Sequence, residues 1–154
     1  MKTLYLILIL VMIGCSPKEE MNPVAVVREV RAMFDDYESS VERDGLMAEF
    51  AYLDSSEEFF WVPPGFTSAL SYDSVRTIVT QNASQMRSIT LAWDTLKITP
   101  LSRTAAVYTG ILRWTVEGTS GTKTPATLIE TGVVVRRHDG WKLLCGQSRN
   151  LGQN

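Results

Sequence analysis

Apolar residues recur along this chain with two different periods, and the switch between them divides it. From Pro23 to about Arg43, Val24, Val27, Val30, Phe34, Tyr37 and Val41 return every three or four residues, with Arg28, Glu29, Asp35, Glu38 and Glu42 between them. That spacing predicts an amphipathic helix with one buried face. Pro23 suits a first helical position, where its missing N–H would have no partner anyway. Asp44-Gly45 ends the helix, and Leu46 to Leu53 predicts a short second one with Asp44 as its N-cap. Glu57 to Val62 predicts a strand, stopped by Pro63-Pro64-Gly65 because proline cannot donate to a ladder. Ser71 is the predicted cap of a third helix running to about Met86, with Tyr72, Val75, Ile78, Val79 and Met86 near one face.

Beyond Ser88 the period becomes two. Ile89, Leu91 and Trp93 alternate, and then Leu96 and Ile98 take over the apolar positions, which predicts a β-bulge near Asp94-Thr95. Ala105 to Ser148 holds three more β-rich runs, separated by a polar loop from Gly118 to Pro125 and by His138-Asp139-Gly140. Aspartate–glycine between apolar runs marks a tight hairpin, since both residues tolerate positive φ. The predicted order is helix, helix, strand, helix and four strands: an α+β chain whose N-terminal helices pack on a curved antiparallel sheet.

Length and charge narrow the possibilities. The 154 residues suit one domain, and a chain of this size buries about two-thirds of its unfolded surface without needing a disulfide or metal. The net charge is −2 and no basic stripe exists, which argues against nucleic acid as a partner. His138 is the single histidine and falls in a predicted turn, where it is expected to be solvated. One histidine and Cys145 make no ligand-spaced cluster, so no metal site is predicted. Cys145 reads as a small buried hydrophobe. Gly118, Gly121 and Gly140 belong to hairpin turns rather than to a phosphate loop, and no cofactor is predicted.

The N-terminus carries an address. Lys2 precedes an unbroken apolar run from Leu4 to Ile13, too short for a bilayer span of about 20 residues but suited to a signal-peptide core. Its end, Met12-Ile13-Gly14-Cys15, resembles the lipobox of bacterial lipoproteins, with Met12 in place of the usual leucine. The resemblance implies removal of residues 1–14, lipidation of Cys15, a linker over 15–22 and a domain over 23–150. It also implies a lipid-anchored place in the bacterial cell envelope, facing the periplasm or the surface. Ser16 after the cysteine, rather than aspartate, implies outer-membrane sorting, and Cys15-Ser16-Pro17-Lys18-Glu19-Glu20 resembles a signal that some Gram-negative groups use for surface display.

Four segments carry a second resemblance. They are Asp44 after the first helix, Phe60-Trp61-Val62-Pro63-Pro64-Gly65, Ala106-Val107-Tyr108-Thr109-Gly110, and Asp139-Gly140-Trp141-Lys142-Leu143 through Ser148. In order and spacing the chain from Val24 to Arg149 resembles the SnoaL-like, nuclear transport factor two-like domains, a group that includes ketosteroid isomerase. The resemblance implies a cone-shaped α+β fold with a pocket. Many relatives carry histidines in the final strand where this chain has Cys145 and Gln147, and no catalytic residue of the isomerase transfers to it.

Candidate site residues follow from strand alternation. Tyr108, Leu112, Trp114 and Val116 share one face of their strand, opposite Arg113, Thr115 and Glu117. Trp61, Trp93, Tyr108 and Trp114, with Tyr72 and Gln147, are the candidate lining of an apolar ligand pocket, against the alternative that the aromatics simply fill the core. Glu130 lies on the side shared with Leu128, Gly132 and Val134. Buried there, it would hold its proton more tightly than usual and serve as acid or base; paired with Arg113 or exposed, it would not. Three readings follow. The first is a lipoprotein that binds a small apolar molecule or serves as an interaction module. The second is a cofactor-free isomerase, dehydratase or cyclase using Glu130 and a tyrosine, Tyr72 or Tyr108. The third is a homodimer paired through the open sheet face at Thr109, Ile111, Arg113 and Thr115.

Overall fold

In the computed structural model, which describes residues 20–152, helix α1 spans Pro23–Asp44 and a 3-10 helix covers Leu46–Ala51. Strand β1 (Phe60–Val62) and helix α2 (Tyr72–Ala83) follow. The long strands are β2 (Met86–Pro100), β3 (Ala105–Gly118), β4 (Lys123–Arg137) and β5 (Gly140–Asn150). They form one sheet in the order β1-β5-β4-β3-β2. The hairpin connections make β2 to β5 antiparallel, while β1 joins the outer edge of β5 in parallel. The expected α+β architecture is the one observed. The expected signal segment, residues 1–14, and Cys15 lie outside the described residues.

Several local expectations are corrected. Asn22 caps α1, its side chain accepting the Ala25 N–H at 3.1 Å. Asp44 is the last residue of α1 rather than the cap of the next helix; its carboxylate pairs with the neighbouring Arg43 guanidinium at 2.6 Å. Gly45, at φ 86°, makes the turn instead, because few other residues adopt that backbone without strain. The segment after it forms a 3-10 helix with no side-chain cap. Glu57 and Glu58 stay out of β1 because Asp54 accepts the Ser56 N–H at 2.8 Å and Phe59 N–H closes on Ser56, a local turn that competes with a strand. α2 stops at Ala83, leaving Met86 to open β2.

Helix α1 covers the concave face of the sheet. Val30, Phe34, Tyr108 and Val134 are essentially sealed from solvent. The Phe34 ring meets Trp93 edge-on at 5.4 Å and tilts onto Tyr108 at 4.7 Å. The polar side of α1 also bonds to the sheet. β2 is an edge strand whose outward N–H groups would otherwise invite another chain. Glu42 accepts from Leu91 N at 2.9 Å, Glu38 accepts from Trp93 N at 3.0 Å, and Arg31 donates to Leu96 O at 2.7 Å.

Beyond a register shift at the start of β2, between Met86 and Ser88, two bulges shape the sheet. One, between Trp93 and Thr95, is the expected one. The other, between Val133 and Val134, sets Val133 opposite Cys145 and Val134 opposite Leu143, so Leu144 is the extra residue of β5. A bulge reverses which face later residues occupy. Trp141 and Leu143 point into the cone, and beyond the bulge Ser148 points in while Gln147 is exposed.

Candidate functional site

The concave face is built to hold large rings over bare backbone. Gly110, Gly132 and Gly146 lie on it in adjacent strands. A methyl group on Gly110 would sit 2.8 Å from the Trp93 ring, on Gly132 2.9 Å from the Tyr108 ring, and on Gly146 2.6 Å from the Trp61 ring. Each glycine is therefore a seat for one aromatic ring. The rings, with α1, the 3-10 helix and α2, leave a partly open cavity in the wider half of the cone.

That space has two adjoining lobes. The smaller, about 100 Å³, is bounded by Phe34, Tyr37, Glu49, Phe59, Trp61, Trp93 and Glu130 among others. The larger, about 190 Å³, lies between α2 (Val75, Ile78, Val79) and the sheet residues Ile89, Leu91, Leu112, Trp114 and Leu128. Tyr37, Glu49, Trp61, Val75 and Glu130 border both lobes, so the two are one cavity. No lysine, arginine or histidine lines either lobe.

Two carboxylates thus share an apolar cavity that holds no cation. Burial raises Glu130 to about 7, against the pull of the Tyr108 hydroxyl, which donates to its Oε2 at 3.4 Å. Burial, together with the Glu130 charge, raises Glu49 to about 8, against a hydrogen bond from the Tyr37 hydroxyl at 3.5 Å. Both side chains retain partial exposure, but what they face is the cavity, and the walls around it make desolvation decide. Tyr37 and Tyr108 are pushed well above the usual phenol value, first by burial and then by the carboxylate charges, so both stay protonated and can donate to the carboxylates. Two such carboxyls titrate as a pair, and between pH 7 and 8 they hold about one proton between them.

The expected residues divide clearly. Trp61, Trp93 and Trp114 line the cavity, and Glu130 stands in it. Tyr108 is completely buried behind the wall and reaches the cavity only through its bond to Glu130. Tyr72 lies elsewhere: it packs edge-on against Phe50 and Phe59 and walls a separate surface cleft with Arg137 and His138. Gln147 is exposed on the convex face, paired in register with Thr131, because the Leu144 bulge turns it outward. The same bulge leaves Cys145 half-exposed rather than buried. Ser148 takes the inward place, level with Glu130 and accepting from the Trp61 indole at 3.4 Å. Arg113 binds Asp94 on the convex face at 2.6 Å and plays no part in the site. The His138 side chain is 95% exposed.

Glu49 and Tyr37 were not visible from the sequence as site residues. Tyr37 belongs to the apolar register of α1, and Glu49 is a polar residue within a short, mainly apolar segment. The indole N–H groups of Trp93 and Trp114 are buried with no partner, which leaves two donors unused beside the cavity. Among the described residues no cluster of three or more histidine, cysteine or acidic side chains could hold a metal ion.

The SnoaL-like domain family matches residues 30–148. No curated protein matches the chain by sequence. Among solved structures, a putative dehydratase of the NTF2-like family from Streptomyces avermitilis superposes with a TM-score of 0.72 at 16% identity, covering 86% of this chain and 100% of its own. An NTF2-like superfamily protein from Salmonella enterica gives 0.70 at 15% identity, over 85% of this chain and 94% of its own. A hexachlorocyclohexane dehydrochlorinase from Novosphingobium barchaimii gives 0.62 at 12% identity, over 82% and 87%. At these identities the structures share a fold, and the family match goes further: the chain belongs to the SnoaL-like domain family, built on the cone-shaped fold of the nuclear transport factor two superfamily.

Proposed function

We propose that the cavity performs cofactor-free proton transfer on a small, largely apolar molecule. The observation that carries this reading is the Glu49–Glu130 pair: two carboxyls with proton affinities near neutral, inside one apolar cavity, each bonded to a tyrosine hydroxyl. A general acid or base works best with a pKa near the operating pH. At pH 7 to 8 an ionised Glu130 takes a proton from a substrate carbon, and the Tyr108 hydroxyl stabilises the carboxylate until that moment. A protonated Glu49 across the cavity supplies a proton to the group that leaves or to the oxygen that gains charge. Structures of the same fold include a putative dehydratase and a dehydrochlorinase, both named for eliminations, which fits chemistry of this sort.

The test is carbon-bound hydrogen exchange in D2O on a panel of small apolar ketones, hydroxy-ketones and alkyl halides. Exchange or elimination by the full domain, lost by at least about 10²-fold in Glu130→Gln, is the expected result. Tight binding without exchange would replace this reading with a carrier of small apolar molecules.

The address belongs to the proposal as well. The apolar run ending at Gly14-Cys15 supports anchorage of the domain in a bacterial envelope membrane through a lipid on Cys15, with the outer membrane as destination. Each buried CH₂ of such a lipid contributes about 0.8 kcal/mol. Cys15→Ala should release the protein from the membrane fraction. Pairing of two copies through the uncovered sheet face around Thr109, Ile111, Arg113 and Thr115 is tested by sedimentation.

A further inference from the structure

The charge balance of the cavity says more about its occupant. A single proton shared by Glu49 and Glu130 leaves one negative charge in an apolar space, and no lysine, arginine or histidine borders either lobe. Uncompensated charge in such surroundings is among the more expensive arrangements in a protein. The contrast with the rest of the interior is sharp, since Asp54 is given Arg137.

The titratable groups around the pair account for themselves. Tyr37 and Glu38 come from α1, but Glu38 is committed to Trp93 N–H at the sheet edge. Glu49 comes from the 3-10 helix, Tyr108 from β3 and Glu130 from β4. β1, α2, β2 and β5 bring no titratable group to the cavity lining. The missing partner is therefore a cation that the protein does not supply. The remaining wall is aromatic, with Trp61, Trp93, Trp114 and Tyr37 lining it, and aromatic rings attract organic cations as well as apolar groups.

We propose that the natural ligand of this cavity is a small apolar amine bound as its ammonium ion, with the charge between Glu49 and Glu130 and the hydrocarbon part among the tryptophans. This rests on the carboxylate pair described above and specifies its substrate class: with the amine bound both carboxylates are ionised, so Glu130 remains the base and the ammonium itself carries the proton that Glu49 holds in the empty cavity. The size fits, since a cavity of about 150 Å³ lined by apolar side chains accepts benzene. Anionic ligands meet the charge of the pair and are refused.

Proton linkage gives the test, because the two ligand classes move protons in opposite directions. An ammonium ion favours both carboxylates ionised, so its binding expels the shared proton. A neutral apolar ligand strips water from the pair and favours protonation, so its binding takes protons up. Titration calorimetry of the full domain with benzylamine, benzyl alcohol and benzoate, in two buffers of different ionisation enthalpy at pH 7.5, reads the sign directly. Expected are binding of benzylamine at least about tenfold tighter than benzyl alcohol, net proton release, weaker binding at pH 6, no detectable benzoate, and loss of the amine preference in Glu49→Gln.

Benzyl alcohol binding as tightly as benzylamine, with proton uptake, would overturn the amine assignment and leave the acid–base pair standing. No binding of either, with both carboxyls titrating near 4.5 by NMR, would overturn the pair and the amine assignment together. Where Glu49→Gln fails to fold, Trp114→Leu serves as the second variant. It should weaken benzylamine more than benzyl alcohol, and equal weakening of both would count against an aromatic contribution to cation binding.

Discussion

The molecule buries carboxylates in two places and treats them in opposite ways. At the rim, the Asp54 side chain is 4% exposed. Burial pushes its proton affinity up, but hydrogen bonds from Ser56 and the Arg137 guanidinium outweigh that and hold it below the usual range. Inside the cone, Glu49 and Glu130 are also desolvated, yet they receive only tyrosine hydroxyls at the long end of hydrogen-bond distance, and they end near 8 and 7. The counter-charge, more than burial as such, separates a carboxylate that fastens the fold from one available for proton transfer. Arg137 also reaches Glu58 at 3.3 Å, so the rim is a small network, whereas the cavity pair has no cation at all.

The largest expected effect comes from breaking the rim. Arg137→Ala strands a buried Asp54 charge. We expect a clear loss of stability in urea unfolding at pH 7, smaller than for a fully buried pair because the arginine is partly exposed. The sign with pH follows: the folded pKa of Asp54 is depressed, so its contribution is present above the unfolded value and fades as pH falls through the folded one. Repeating the unfolding at acidic pH should therefore shrink the difference between Arg137→Ala and the parent.

The cavity pair should show the reverse sign. Its folded pKa values are raised, so its contribution to stability is complete below about 4.5 and is lost as pH rises through 7 and 8. Glu130→Gln should thus stabilise the domain at pH 8.5 by on the order of 2 kcal/mol and do little at pH 4.5, as read by urea midpoints. A destabilised Glu130→Gln at pH 8.5 would mean that the ionised carboxylate has a partner the cavity does not show.

Gly132→Ala sharpens the same comparison through packing. The added methyl would meet the Tyr108 ring at 2.9 Å and the Cys145 carbonyl at 2.6 Å, and overpacking of this kind costs about 1–3 kcal/mol. It should also displace the Tyr108 hydroxyl from Glu130 and so raise the Glu130 pKa further. The smallest effect is expected from Glu42→Ala at the sheet edge, where one hydrogen bond to Leu91 N is lost at about 1 kcal/mol in thermal or urea unfolding, with no change at the cavity.

Much of this was readable in the sequence, and the exceptions have physical causes. Periodicity located α1, the long strands and the Trp93–Thr95 bulge, because each depends on local alternation of apolar side chains. For the same reason alternation turns Trp93, Trp114 and Glu130 inward, and with Trp61 they line the cavity. The Leu144 bulge defeated it, since Leu144 and its neighbours are apolar on both sides and the pattern shows no break; Gln147 and Cys145 were assigned to the wrong face in consequence. Glu49 escaped notice because its burial is imposed by α1 and the sheet, far away in sequence. β1 was expected as part of an antiparallel sheet, and no local signal marks it as a parallel strand on β5.

The measurement that bears most directly on the account is a ¹³C NMR titration of the glutamate side-chain carboxyls, with Glu49→Gln and Glu130→Gln used for assignment. Two carboxyls with apparent midpoints near 8 and 7 are expected, with a fall in the Glu49 midpoint when Glu130 is replaced. Both midpoints near 4.5, unmoved by either substitution, would contradict it.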